Sequence, residues 1–251
     1  MSKKLIFTSI AFLILLSAFN HIRSLSGECA KIDPQKVKRL EWTDPLGRQP
    51  TSFSQFQAMQ PLAAPLKVQR AERISTRPAL IPKRSDSLVA VIVNADVYTQ
   101  IQTSIDQYAF DLAAEGYTVN QILWSGGDYQ DLRDSLQYLW QSYGLKGAVL
   151  VGDLPVAWCE LNVWGGEEFP IDYYFMELDA TWTDSDADGL LEGFYAGSGD
   201  VAPEIWVGRL APGTLVWGSQ AQLLQNYFTK NHNYRTGSLS LPHRALSFVD
   251  D

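Results

Sequence analysis

Three aspartates alternate along Asp184-Ser185-Asp186-Ala187-Asp188-Gly189. Carboxylates at every second position of a tight turn converge on one point, and a glycine at the sixth position permits the sharp bend a hard cation requires. Calcium takes 6–8 oxygen ligands, so three aspartates would make the first half of a shell. Counting from Asp184, the ninth position is Glu192 and the twelfth is Tyr195, where an EF-hand would carry a bidentate glutamate. The flanks, Thr181-Trp182-Thr183 and Leu190–Tyr195, do not read as long helices. The sequence therefore predicts an EF-like calcium loop outside an EF-hand, with Asp184, Asp186, Asp188 and Glu192 as ligands. Either Asp200 or Glu204 would complete the shell. Such a Ca2+ site would be structural, holding a loop in place.

Nucleophilic chemistry is harder to assemble. A thiolate or hydroxyl needs a base beside it, and the chain has two cysteines, Cys29 and Cys159, and three histidines, His21, His232 and His243. His21 lies in or beside an apolar N-terminal stretch, and no histidine precedes a glycine at a strand end. Cys159 would act only if His232 or His243 folded toward it, and a small buried hydrophobe is the plainer reading. Two cysteines exclude a disulfide scaffold and a cysteine-built zinc site; in an oxidising compartment they could pair. There is no GxSxG elbow, and no carboxylate pair stands out for glycoside chemistry. No complete catalytic site is legible, so no catalytic residue is assigned.

The elements that must position these residues begin at Leu88. Leu88–Val93 is an unbroken, mostly β-branched apolar run, which predicts a strand buried on both faces. A helix over Tyr98–Gly116 follows, with Ile101, Ile105, Tyr108 and Leu112 at helical spacing. Next come a strand over Thr118–Trp124, a turn at Ser125-Gly126-Gly127, and a helix capped by Asp128 that runs to Tyr143 and stops at Gly144. Gly147–Val151 is a third buried strand. Tyr173–Glu177 reads as a short strand, Glu204–Leu210 as another, Thr214–Asn231 as a helix, and Ala245–Val249 as a last strand. The alternation predicts an α/β fold, a parallel sheet flanked by helices in three layers. Ligands of such sheets gather at the strand carboxyl ends, where Asn94, Asp96 and Asp153 fall. No GxGxxG or GxxxxGK[ST] occupies a strand-to-helix turn, which argues against a nucleotide or flavodoxin-like cofactor domain.

Charge divides the chain. Residues 1–86 hold 14 Lys+Arg against 6 Asp+Glu, and residues 87–251 hold 6 against 22. The acidic part offers no basic stripe for nucleic acid; cations and basic peptides suit it better. Lys3 and Lys4 precede an apolar run over Leu5–Phe19, too short for a membrane span, with small residues at Ser24 and Ser26 before Gly27. Residues 1–26 therefore read as a signal peptide, which predicts a secreted, cell-surface or periplasmic protein free of the membrane after cleavage. Residues 27–86 carry seven prolines and no sustained period, a leader that serves as a pro-segment or a linker. Lys83-Arg84 is a weak processing signal. Residues 87–251 form the α/β part, and a strand lying so near Asp251 leads us to expect a truncated chain.

An ordered series runs through this part: Val149-Leu150-Val151-Gly152-Asp153-Leu154-Pro155, Phe169-Pro170-Ile171-Asp172-Tyr173-Tyr174-Phe175, Leu178-Asp179-Ala180-Thr181-Trp182, Asp184–Gly189, and Glu204-Ile205-Trp206-Val207-Gly208-Arg209-Leu210. The series resembles the gingipain-type cysteine peptidases over Leu88 to Asp251, about two thirds of the chain. The resemblance implies a caspase-like fold built as two side-by-side α/β subdomains, calcium for stability, export and an N-terminal pro-segment. It also implies endopeptidase activity by a Cys–His dyad that lies in the second subdomain, beyond Asp251. Cys159 does not match that nucleophile. The partners implied are a protein or peptide substrate and the chain's own C-terminal subdomain. The acidic balance would favour basic side chains in the cleft. A non-catalytic, calcium-stabilised secreted binding module is the alternative.

Overall fold

The computed structural model describes residues 46–60, 66–70, 87–161, 166–197 and 199–242. The chain divides into two units, residues 1–48 with 248–251, and residues 49–247. The second unit holds the sheet, its helices and the acidic loop. The signal peptide, Cys29, His243, Lys83-Arg84 and the strand expected over Ala245–Val249 lie outside the described residues.

The sheet grows from the apolar run. Strand β2 (Leu88–Asn94) is buried at every position through Val93. It pairs in parallel with β3 (Thr118–Ser125) on one side and with β4 (Gly147–Val151) on the other. Strand β9 (Trp206–Leu210) adds in parallel outside β4. A fifth strand, β1 (Lys67–Arg70), runs antiparallel along β3, so the order is β1-β3-β2-β4-β9. The α/β parallel sheet flanked by helices is thus present.

Alternation along β2 splits the core. Val89, Val91 and Val93 face α2 (Ala95–Ala114) and α5 (Gln220–Arg235), with Ile101, Ile105, Leu224 and Phe228. Leu88, Ala90 and Ile92 face α3 (Tyr129–Tyr143) and the irregular segment after β4, with Leu132, Leu136, Phe175 and Leu178. Each valine, leucine, isoleucine or phenylalanine side chain so enclosed is worth roughly 1.5–3 kcal/mol. Gly147 serves packing: a Cβ there would lie 2.0 Å from the Trp206 ring, which crosses the neighbouring strand at that point.

Local signals explain the helix ends. Asp128 accepts from the amides of Gln130 and Asp131 while Asp131 accepts from the Asp128 amide, a reciprocal cap, and Gly144 closes α3 in the left-handed region at φ 71°. Helix α2 starts at Ala95, earlier than its apolar spacing suggests, because the Asn94 side chain caps it from the strand end.

Three expectations change. Tyr173–Met176 is one turn of helix, α4, with Glu177 N–H donating to Tyr173 O. Adjacent Tyr174 and Phe175 are both buried in the same cluster, which a strand would not allow. The helix expected from Thr214 begins at Gln220, capped by Ser219; before it Pro212–Thr214 form a 3-10 turn and Leu215, Val216 and Trp217 stand exposed. Within the Pro-rich leader, α1 (Phe53–Met59) and β1 are ordered elements. Between β4 and β9 lie two small antiparallel pairs, β5 (Trp158–Leu161) with β6 (Glu167–Pro170), and β7 (Thr181–Thr183) with β8 (Gly193–Tyr195).

Candidate cation site

The acidic loop is the connection of the β7–β8 hairpin. Glu192 N–H donates to Thr183 O at 3.0 Å and closes its base. Inside, Asp184 accepts from the amides of Asp188 (3.2 Å) and Gly189 (3.1 Å), and Asp188 accepts from the Leu190 amide at 2.8 Å. Ala187 at φ 61° and Gly189 at φ 92° both take the left-handed conformation, which bends the chain around the aspartates. As a result one carboxylate oxygen from each of Asp184, Asp186 and Asp188 lies within 4.8 Å of the others. Oxygens bound to one calcium ion at 2.3–2.6 Å span at most about twice that distance, so the three fit a common ion of this kind.

Glu192 takes a different place. Both its carboxylate oxygens accept from the Ser185 amide (2.9 and 2.8 Å), and Ser185 Oγ donates to Oε2. It ties the loop across its width and does not belong to the converging group. The surrounding field is strongly negative: partial burial, then Asp188, Asp186, Glu192 and Glu168, raise the Glu160 carboxyl above its ordinary value. Burial first, and Asp184 next, raise the Tyr129 phenol.

Neither Asp200 nor Glu204 joins the loop. The Asp200 amide donates to Asp179 at 3.1 Å, and its own carboxylate accepts from Ala202 N. Glu204 belongs to a second acidic group with Glu177 and Asp179, again with one oxygen of each within 4.8 Å. Sequence reasoning missed this group; the spacing Glu177-Leu178-Asp179 was its only local signal. Glu177 is fully buried, with 0% of its surface exposed. It accepts from the amides of Asp179 and Ala180 and from Trp182 Nε1 at 2.9 Å, and its Oε2 lies 3.5 Å from Arg133 Nη2. Arg133 also donates to the carbonyls of Tyr174, Glu177 and Ala180. Glu177 therefore already has its counter-charge and organises the chain from 174 to 182. Burial, and behind it Asp179 and Glu177, raise the Glu204 carboxyl, while the Leu178 amide opposes the shift.

Among the described residues, the nucleophile candidate Cys159 and the base candidate His232 do not come together. Cys159 is buried in β5, on the α3 side of the sheet, and burial pushes its thiol up. His232 belongs to α5, on the opposite face, where Nδ1 meets the Asp111 carboxylate of α2 at 2.9 Å. At the strand ends the Asn94 side chain is engaged in structure: its Nδ2 donates to Asp153 O at 2.7 Å while its Oδ1 caps α2. A cavity of about 470 Å3 beside α3 and β3 is lined by Leu88, Ile122, Asp131, Asp134 and Tyr138, none of them from either acidic group. Among the described residues no helix is long and apolar enough to cross a membrane. No protein-family profile, curated protein or solved structure matches this chain.

Proposed function

We propose that this chain supplies the first α/β subdomain of a secreted, gingipain-like cysteine endopeptidase, and that its acidic loop binds Ca2+ as a structural ion. The observation that carries the reading is the position of the acidic segment. It is inserted between the third and fourth parallel strands, β4 and β9, and there gathers Asp184, Asp186 and Asp188. The motif series on which the resemblance rests runs through these same elements. In this role the sheet walls a peptide cleft, and peptide-bond hydrolysis is performed by a Cys–His dyad elsewhere in the polypeptide. Cys159, buried on one face of the sheet, and His232, paired with Asp111 on the other, take no part.

The test is active-site labelling of the natural full-length polypeptide with a peptidyl thiol-alkylating inhibitor. The reading expects one cysteine other than Cys29 and Cys159 to be modified. Modification at Cys159, or no modification together with no hydrolysis of any peptide, would reject the peptidase assignment. A calcium-stabilised, non-catalytic secreted binding module is the second reading. It needs only the converging aspartates of the loop and no dyad anywhere in the polypeptide.

A further inference from the structure

Helix α1 is not required by the sheet, yet it has a defined seat. Ser52 and Gln55 cap it reciprocally, and its seven residues Phe53–Met59 carry no charge. So short a helix does not persist alone in water, so its order comes from what it touches. Phe53 and Phe56, three residues apart and therefore on one face, lie with ring centroids 5.7 and 5.2 Å from that of Trp158. The Phe53 amide donates to Glu168 Oε2 at 2.9 Å. The Phe53 ring also covers the acidic loop: a Cβ at Gly189 would lie 3.2 Å from Phe53 Cζ, with Gln57 Nε2 at 3.9 Å.

The two halves of this seat are joined through the backbone. Leu191 N–H donates to Trp158 O at 2.9 Å, and Glu160 N–H donates to Leu191 O at 3.0 Å. Gly189 therefore lies two positions before a residue bonded through its backbone to the strand that carries Trp158. Pressing on Gly189 and Trp158 together restrains the loop from its outer side and from its base.

We propose that α1 is a latch on the acidic loop. By clamping Gly189 against the Trp158 strand it holds Asp184, Asp186 and Asp188 in their converged arrangement, with Phe53 and Phe56 as positioning residues. On the reading that the loop binds calcium, latch and ion favour one another, because coupling between two sites is reciprocal. A leader segment would then set the cation affinity of the domain that follows it.

The experiment compares the full chain with its Phe53→Ala/Phe56→Ala variant by hydrogen exchange and calcium titration. Phe53 and Phe56 are only half-buried, and Val89–Val93 report whether the sheet stays intact. The latch predicts that exchange at Asp188, Gly189 and Leu190 speeds by roughly tenfold in the variant, with Val89–Val93 unchanged. It predicts a loss of calcium affinity of similar size, within the usual range of about 5–150-fold for coupled sites. Phe53→Leu/Phe56→Leu should restore both. Faster loop exchange in a chain that never binds calcium would reject the cation reading and leave the latch standing. Unchanged exchange at Asp188–Leu190 overturns the latch, whatever calcium does.

Discussion

Replacing Glu177 by leucine tests how the segment after β4 is held. The carboxylate is wholly enclosed and receives the amides of Asp179 and Ala180, the Trp182 indole N–H and the Arg133 guanidinium. Leucine fills similar space but accepts no hydrogen bond, so these donors lose their acceptor and Arg133 loses its counter-charge. Breaking a buried pair from one side costs about 3–5 kcal/mol, and each stranded donor costs about 1–3 kcal/mol more if it stays unpaired. Arg133 keeps three carbonyl acceptors, which limits the total. We expect a loss of about 4 kcal/mol, a large part of the 5–15 kcal/mol typical of a whole domain. Glu177→Gln should lose about half as much, since its carbonyl still accepts. The assay is urea unfolding followed by far-UV circular dichroism. A loss below about 1 kcal/mol for Glu177→Leu, with an unchanged denaturant slope, would refute this account of the segment.

Other outcomes rest on single contacts. Gly147→Ala should destabilise by about 1–3 kcal/mol through overpacking against Trp206, and Trp206→Ala in the same chain should recover part of that loss in a double-mutant cycle. Glu204 has a folded-state pKa above its ordinary value of 4.5, so the folded state binds the proton more tightly than the unfolded state does. Stability should therefore fall as pH rises upward from about 4.5, and Glu204→Gln should reduce that fall in thermal melts taken at pH 4, 6 and 8. Cys159, buried and with its thiol raised, should react with iodoacetamide far more slowly in the folded chain than in urea, as read by mass spectrometry.

The sheet was legible because β4 and β2 up to Val93 are apolar and their neighbours carry explicit start and stop signals, Asp128 at the start of α3 and Gly116 and Gly144 at helix ends. The short elements were not. The turn of α4 depends on Arg133 and Glu177 drawing carbonyls and amides together across more than forty residues, and no local periodicity encodes that. Helix α1 is invisible to a reading that weighs prolines, since seven residues take their order from Trp158 and Gly189 far along the chain. Of the four expected cation ligands, the three aspartates converge because alternation within a tight turn is a local property. Glu192 is turned to the Ser185 amide, because an acceptor at the ninth position can equally tie the turn shut. The second acidic group escaped because Glu204 reaches Glu177 and Asp179 only once β9 has joined the sheet.

Thermal melting of the chain with and without calcium, beside Asp186→Asn, decides whether Asp184, Asp186 and Asp188 form a calcium site. Asp186 suits the purpose because, among the described residues, its carboxylate supports none of the loop's hydrogen bonds, unlike those of Asp184 and Asp188. Calcium at about 100 times its dissociation constant should stabilise the folded state by about 2.7 kcal/mol. At roughly 2–4 °C per kcal/mol this is a rise of about 5–10 °C. A calcium site on these aspartates gives that rise in the unmodified chain and loses it in Asp186→Asn. No rise in the unmodified chain, or an equal rise in both, would contradict it.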